Sequence, residues 1–183
     1  MRTFALFLCC LFSTAAALSA HAQTVPSATR SRISVSAGAL GSVFQPDYVN
    51  GTFVAQPSPY VLFGAGAYVD ARFSRWVQIE AEGRWLRFNQ YLGVGEDNYL
   101  IGPRIPIRTF HRFTPYGKFL VGFSTGNPWL TGRAGTLAFG GGVDYRLNRR
   151  FTVRVGDFEY QDWRITPTLY PYGGGVGLSY KIF

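Results

Sequence analysis

Ten charged side chains occupy the polar positions of segments in which apolar and polar residues alternate. Two of them, Glu80 and Glu82, could act as a general acid and a general base, as paired carboxylates do in some enzymes. The basic residues around them favour another role, because buried carboxylates are best neutralised by neighbouring cations. The pattern therefore predicts a network of salt bridges formed by Asp70, Arg72, Glu80, Glu82, Arg84, Arg104, Lys118, Asp144, Arg146 and Arg154.

Other routes to catalysis find little support in the sequence. Beyond the amino-terminal segment the chain has one histidine, His111, whose neighbours Arg112 and Phe113 include no serine at the spacing of nucleophile and base. Both cysteines, Cys9 and Cys10, lie near the amino terminus, and no residues show metal-ligand spacing. We expect no enzymatic activity, no catalytic residue, no cofactor and no metal site.

The first 22 residues are predicted to be a secretory signal peptide. Arg2 supplies the positive n-region, residues 4–18 form the apolar h-region, and Ala22 ends a small-x-small cleavage site. The alternative, a first transmembrane helix, is disfavoured because the apolar run is shorter than the roughly 20 residues that a helical span needs. The predicted organisation is a signal peptide at 1–22, an amino-terminal lead at 23–30 and one domain at 31–183.

The rest of the chain contains eight runs of alternating character. Between positions 77 and 84, odd-numbered residues are apolar or small and even-numbered residues are polar or charged. Successive side chains of a strand point to opposite faces, so each run predicts a strand with one apolar and one polar face. The predicted strands are 31–44, 59–73, 76–88, 98–108, 113–125, 134–147, 151–162 and 172–183.

Two of the predicted strands contain irregularities. Pro103 and Pro106 cannot donate to a ladder, which predicts a bulge or weakened pairing in the fourth strand. In the seventh strand the polar residues Arg154 and Glu159 have even and odd numbers, so in a regular strand they would point to opposite faces. A bulge near Gly156 would bring both to the polar face.

The connections and the aromatic residues predict where the barrel lies. Long loops after the first, third (91–97), fifth and seventh strands alternate with tight turns, as in outer-membrane barrels, and this would place both termini in the periplasm.

The aromatic residues bear on which face of the barrel is inside. A soluble, lipocalin-like barrel keeps its apolar face inside, whereas a membrane barrel turns that face towards lipid. Tyrosine and tryptophan collect near strand ends, as at membrane interfaces; these residues are Trp76, Trp85, Tyr145, Tyr160, Trp163, Tyr170 and Tyr172. We therefore expect an all-β fold, an eight-stranded antiparallel up-and-down transmembrane β-barrel with its apolar face towards lipid.

The segments 113–124, 138–147 and 151–160 resemble strands five to seven of the OmpA-like/OmpX-like outer-membrane β-barrel domain family. The resemblance implies a barrel inserted by the outer-membrane assembly machinery, which reads a last strand ending in an aromatic residue; Phe183 fits that signal. It also implies a stand-alone barrel without the family's peptidoglycan-binding domain.

Several functions remain open from the sequence. The preferred one is a non-enzymatic structural or interaction protein of the bacterial outer membrane, with a lumen filled by charged side chains. A narrow pore for small solutes or ions is the alternative, followed by a soluble periplasmic lipid carrier and an enzyme using His111. Expected partners are outer-membrane lipids including lipopolysaccharide, the assembly machinery and an unknown ligand of the loops, and a monomer is expected. Because the net charge of +8 is scattered along the chain, no nucleic-acid partner is expected.

Overall fold

Alternating side chains and antiparallel hairpins produce a closed barrel of eight strands in the computed structural model. The structure describes residues 33–47, 61–74, 76–91, 93–127, 132–166 and 168–183. The predicted signal peptide, its cleavage site at Ala22 and the lead at 23–30 lie outside these ranges and stay predictions. The strands are β1 (Ser34–Gln45), β2 (Leu62–Arg72), β3 (Gln78–Tyr91), β4 (Val94–Pro106), β5 (Phe113–Asn127), β6 (Ala134–Arg146), β7 (Phe151–Arg164) and β8 (Tyr172–Lys181).

Every strand pairs with its neighbour in the sequence, and β8 returns to pair with β1. The predicted all-β, up-and-down, eight-stranded barrel is therefore confirmed. Closure removes both edges of the sheet. No row of backbone N–H and C=O groups is therefore exposed to lipid, which could not form hydrogen bonds with them. Pairing continues past β8, since the Ile182 N–H donates to the Val35 carbonyl at 2.8 Å and the Val35 N–H donates to the Phe183 carbonyl at 3.0 Å.

The apolar positions face outward and the charged positions face inward. Ile101 is 52% exposed and Val176 is 60% exposed, whereas Glu80 and Arg84 on the other face are both 0% exposed. A soluble barrel would show the opposite distribution, because water would meet its polar face. The predicted direction of the two faces is confirmed, and the soluble-carrier alternative loses its structural basis.

Aromatic residues gather on the outer surface near both ends of the strands. Trp85 donates to the hydroxyl of Tyr99 at 3.0 Å, and the Tyr99 ring lies 5.2 Å from that of Phe123. At the end of the barrel where β1 begins and β8 ends, which we call the terminal end, Phe113 packs against Tyr145. Such belts are typical of residues at the lipid–water interface.

Trp163 was expected in these aromatic belts, and that prediction is wrong. Its side chain is buried in the barrel interior, where it packs with Ala134 and Leu169. The cause is the bulge in β7, where the register with β8 shifts between Arg154 and Asp157. The bulge itself was predicted, and it exchanges the faces of all later residues in the strand.

The predicted disturbance in β4 takes the form of weakened pairing. Ile101 pairs with Val121 and Arg104 pairs with Lys118 on β5, but the register gives no partners for the two residues between them. The register is the same on both sides of the gap, so the proline at position 103 interrupts the ladder without adding a bulge.

The predicted alternation of long and short connections is wrong at the third and fourth connections. β3 continues to Tyr91 and β4 begins at Val94, so the third connection is a tight turn and not a loop over 91–97. Gly93 makes this turn possible because its φ of 74° lies in the left-handed region. The connections over 107–112 and 128–133 are equally long, although the former was expected to be the shorter of the two. The connection over 46–61 is the longest.

The outward apolar face generates a depth-dependent prediction. Ile101→Arg, near the middle of β4, should destabilise the folded barrel in lipid vesicles by about 2–4 kcal/mol, because a charge there replaces acyl-chain contacts. Ile107→Arg, just past the end of β4, is the matched control and should cost about 0–1 kcal/mol, because the charge reaches the interface. Urea unfolding in vesicles measures both, and equal effects would contradict the lipid-facing assignment of Ile101.

Candidate functional site

The charged interior is built by alternation along a few strands. Glu80, Glu82 and Arg84 occupy every second position of β3, so all three point into the barrel. The ladders then bring other charges beside them: Asp70 on β2 is level with Glu80, and Arg104 on β4 is level with Lys118 on β5. Local backbone geometry alone therefore concentrates the charges at the barrel axis.

One half of the network centres on Arg84 and Lys118. The Arg84 Nη2 atom lies 2.8 Å from Asp157 Oδ2 and 3.1 Å from Glu159 Oε2, and its Nε lies 3.0 Å from Glu82 Oε1. The Lys118 ammonium lies 2.8 Å from Glu159, 3.0 Å from Glu82 and 3.0 Å from Asp157. Each cation thus contacts the same three carboxylates, which belong to β3 and β7.

The other half lies nearer the terminal end and centres on Arg104 and Arg154. The Arg154 Nη2 atom is 2.5 Å from Glu80 Oε2, and the Arg104 Nη2 atom is 2.6 Å from Asp144 Oδ2. Asp70 forms longer ion pairs with both arginines, 3.6 Å from Arg104 and 3.5 Å from Arg154. Lys118 joins the two halves through Glu80 at 3.3 Å.

Tyrosine rings complete the interior around the arginines. The Arg104 guanidinium lies 3.6 Å from the ring centroid of Tyr116, and that of Arg154 lies 3.8 Å from the centroid of Tyr68. The Tyr116 hydroxyl also donates to Asp157 at 2.8 Å. Cation–π contacts of this kind stabilise guanidinium groups that have left water.

Eight of the ten predicted network residues lie together in this interior. These are Asp70, Glu80, Glu82, Arg84, Arg104, Lys118, Asp144 and Arg154. Arg72 and Arg146 do not join them: both are exposed, and neither forms a salt bridge with any residue that the structure describes. They are the last residues of β2 and β6, where the barrel opens to water and a charge needs no partner.

Asp157 and Glu159 are central members that the predicted network omitted. Both are buried, and both contact Arg84 and Lys118. The signal for them was available, because the predicted bulge near Gly156 moves the residues after it to the interior face. Gln161, also buried, continues the same face and donates to Glu159 at 2.6 Å.

Glu82, Asp157 and Glu159 bring carboxylate oxygens within 4.8 Å of one another, a spacing that could hold a metal ion. The Lys118 ammonium already occupies the position among them, at 2.8–3.0 Å from all three. Arg84 contacts the same carboxylates. The three acids therefore serve as counter-ions to side chains, and a metal ion would have to displace the lysine.

Apolar side chains fill the interior towards the end opposite the termini. Phe44, Leu62 and Leu86 form one buried cluster, and Trp163 with Leu169 belongs to another. The Arg84 guanidinium lies 5.0 Å from the centroid of the Phe44 ring, so the ion pairs directly adjoin this apolar cluster. The lumen is consequently packed with side chains along this part of its length, as expected for a barrel of this size.

His111 stands apart from the ionic interior. It lies exposed in the connection over 107–112 and has a φ of 57°. Among the described residues, no helix is long and apolar enough to cross a membrane.

Comparison with solved structures finds barrels of the same architecture. Neisserial surface protein A is 11% identical, covers 82% of this chain and 97% of its own, and superposes with a TM-score of 0.56. The amino-terminal barrel domain of OprF from Pseudomonas aeruginosa is 13% identical, with coverages of 81% and 97% and a TM-score of 0.53. OprG from the same organism is 13% identical, with coverages of 82% and 95% and a TM-score of 0.53. At these identities the likeness shows the fold alone.

The sequence comparison identifies the family. No curated protein matches the chain, but the family described as "Outer membrane protein beta-barrel domain" matches residues 8–181. With the closed barrel, the outward apolar face and the ionic interior, this match leads to one conclusion. The chain belongs to the outer-membrane protein beta-barrel domain family.

Proposed function

We propose that this protein is a non-enzymatic barrel of the bacterial outer membrane with a structural or interaction role, and that its lumen is closed. The observation that carries the proposal is the set of salt bridges spanning the barrel from β3 to β7. Arg84 on β3 contacts Asp157 and Glu159 on β7, while Arg154 on β7 contacts Glu80 on β3. These bonds cross the axis where a permeating solute would have to pass.

The state of the carboxylates supports a non-enzymatic role. A general acid or base needs access to a substrate proton, whereas Glu80 and Glu82 are buried and engaged by cations. His111 would need a hydroxyl within hydrogen-bond reach to activate a nucleophile, and its exposed position in a turn supplies no enclosed pocket for such chemistry.

The partners and the orientation belong to the same proposal. We place both termini in the periplasm and the longest connection, 46–61, outside the cell. The outward apolar face would contact lipid acyl chains, basic residues near the rims would contact lipopolysaccharide, and the assembly machinery would read Phe183. The external loops would bind an unknown ligand, and the barrel would act as a monomer, since closure leaves no free strand edge.

A narrow pore is the second candidate, and the charge balance of the interior favours it. Six carboxylates face four cations within the network. An excess of acids would attract small cations into any continuous water path. The acids are Asp70, Glu80, Glu82, Asp144, Asp157 and Glu159, and the cations are Arg84, Arg104, Lys118 and Arg154.

Single-channel recording separates the two candidates. The native protein in a planar bilayer should show no steady conductance in concentrated potassium chloride, because side chains fill the axis. A double variant, Arg84→Ser with Trp163→Ala, shortens two fully buried side chains and should produce measurable openings. Arg133→Ser is the control, since this arginine lies over Phe123 outside the network.

Steady, cation-selective conductance by the native protein would overturn the closed-barrel proposal and support the pore. Folding of each variant is checked by its migration on a gel before and after boiling, so that absence of current is not mistaken for absence of a folded barrel.

A second prediction concerns what the network does for stability. Glu80→Gln leaves Arg104, Arg154 and Lys118 without their shared carboxylate, and removing one member of a buried ionic group typically costs about 3–5 kcal/mol. Asp97→Asn is the matched control, because Asp97 pairs with the half-exposed Arg87 and surface pairs contribute about 0–1 kcal/mol. Urea unfolding in vesicles measures both variants. Equal losses would show that the interior pairs are no more important than a surface pair.

A further inference from the structure

The terminal end of the barrel opens into a cavity of about 860 Å³. We call this cavity the vestibule. Its wall carries six cationic side chains, contributed by strand ends and by the adjoining turns: Arg72, Arg104, Arg112, Arg146, Arg149 and Lys181. Arg104 belongs to the ionic interior, but the other five form no contact with it that would explain why they gather here.

Five of these six cations form no direct ion pair with a described residue. Arg72, Arg112, Arg146, Arg149 and Lys181 form no salt bridge and no side-chain hydrogen bond with the residues that the structure describes. The wall has two acids, Asp70 and Asp144, and both are engaged by Arg104 and Arg154. The vestibule therefore has a clear excess of positive charge.

The cations are close enough to act on one another. Arg72 lies within electrostatic range of Arg104 and Arg146, which repel it, and of Asp144 and Asp70, which attract it. Like charges that converge on one concave space raise its electrostatic potential, and a bound anion would relieve the repulsion. The wall also supplies hydroxyl groups as neutral donors, among them Ser34, Ser36 and Thr152.

The inner end of the vestibule is blocked. Gln78, Arg104 and Tyr116 form its floor. The Arg104 guanidinium donates to Gln78 at 2.9 Å and lies over the Tyr116 ring. Behind this floor lie the ion pairs of the lumen. An occupant would therefore enter and leave from the terminal side. Binding in the vestibule thus does not depend on whether the lumen conducts ions.

We propose that the vestibule is a binding site for a compact polyanion carrying phosphate-type oxyanion groups. Arginine predominates over lysine in the wall, and the planar guanidinium fork matches the paired oxygens of a phosphate. The volume falls within the roughly 300–1,000 Å³ of small-molecule sites. The mixture of unpaired guanidinium groups and hydroxyl donors is the composition that such an anion requires.

Two sources could present this chemistry at the terminal end: a soluble phosphorylated molecule or the phosphate headgroup of a membrane lipid. The probes are inorganic tripolyphosphate for the first and phosphatidylglycerol for the second. Protein extracted from the membranes of cells expressing the full chain is washed at high salt and used in a nonionic detergent, whose micelles carry no phosphate of their own.

Isothermal titration calorimetry should show saturable binding of tripolyphosphate that weakens as salt is raised. The variant Arg72→Gln with Arg146→Gln should weaken this binding about tenfold or more, because each loses a charge-assisted hydrogen bond. Arg150→Gln is the matched control and should leave the affinity unchanged. Arg150 lies at the same end but outside the vestibule, where it donates to the Tyr180 hydroxyl at 3.1 Å.

Adding phosphatidylglycerol to the micelles identifies the source. If the lipid competes with tripolyphosphate in the native protein, the site accepts a headgroup; if it does not, the ligand is a soluble phosphoanion. Either result supports the site, provided that the effect depends on Arg72 and Arg146. The proposal would be overturned if neither probe bound saturably, or if Arg150→Gln lost as much affinity for tripolyphosphate as the double variant. Gel migration before and after boiling confirms that each variant is folded.

Discussion

The interior of an eight-stranded barrel is narrow enough to be filled by its own side chains, and this constraint organises the whole molecule. Charged groups placed there lose most of their contact with water and must be compensated by one another. Arg84 and Lys118 therefore share three carboxylates, and each of these carboxylates contacts both cations. Such sharing ties β3, β5 and β7 together across the axis, in addition to the backbone ladders that join neighbouring strands.

The same constraint makes strand register demanding. A slip by one residue would turn the apolar positions inward and the charges towards lipid, where neither could be accommodated. In β7 the bulge between Arg154 and Asp157 lets one strand supply inward residues of both parities. Arg154 pairs with Glu80 before the bulge, and Asp157 and Glu159 pair with Arg84 after it. Without the bulge, these two acids would point at acyl chains.

Period-two alternation made most of the fold predictable from the sequence. The strands lie close to their predicted positions, and Glu80 and Arg84 face inward as expected because lipid selects the apolar face. What alternation could not reveal depends on local backbone conformation. The turn at Gly93 requires a positive φ that a loop prediction over 91–97 did not include. Trp163 points inward because the β7 bulge exchanges the faces of all residues after it. The prediction of aromatic belts considered only how near each aromatic residue lies to a strand end, and not the effect of the bulge.

The candidate site was only partly predictable, since a sequence shows which residues are charged but not how deep each lies. Arg72 and Arg104 both occupy interior-facing positions near the terminal end, yet Arg104 is buried and paired while Arg72 is exposed and unpaired. Exposure separates them: Arg72 is the last residue of β2, where a guanidinium at the mouth of the barrel keeps its water, whereas the buried Arg104 must find a carboxylate. In the functions proposed above, the paired charges at the centre of the lumen hold it closed, and the unpaired charges at its mouth are available to a ligand.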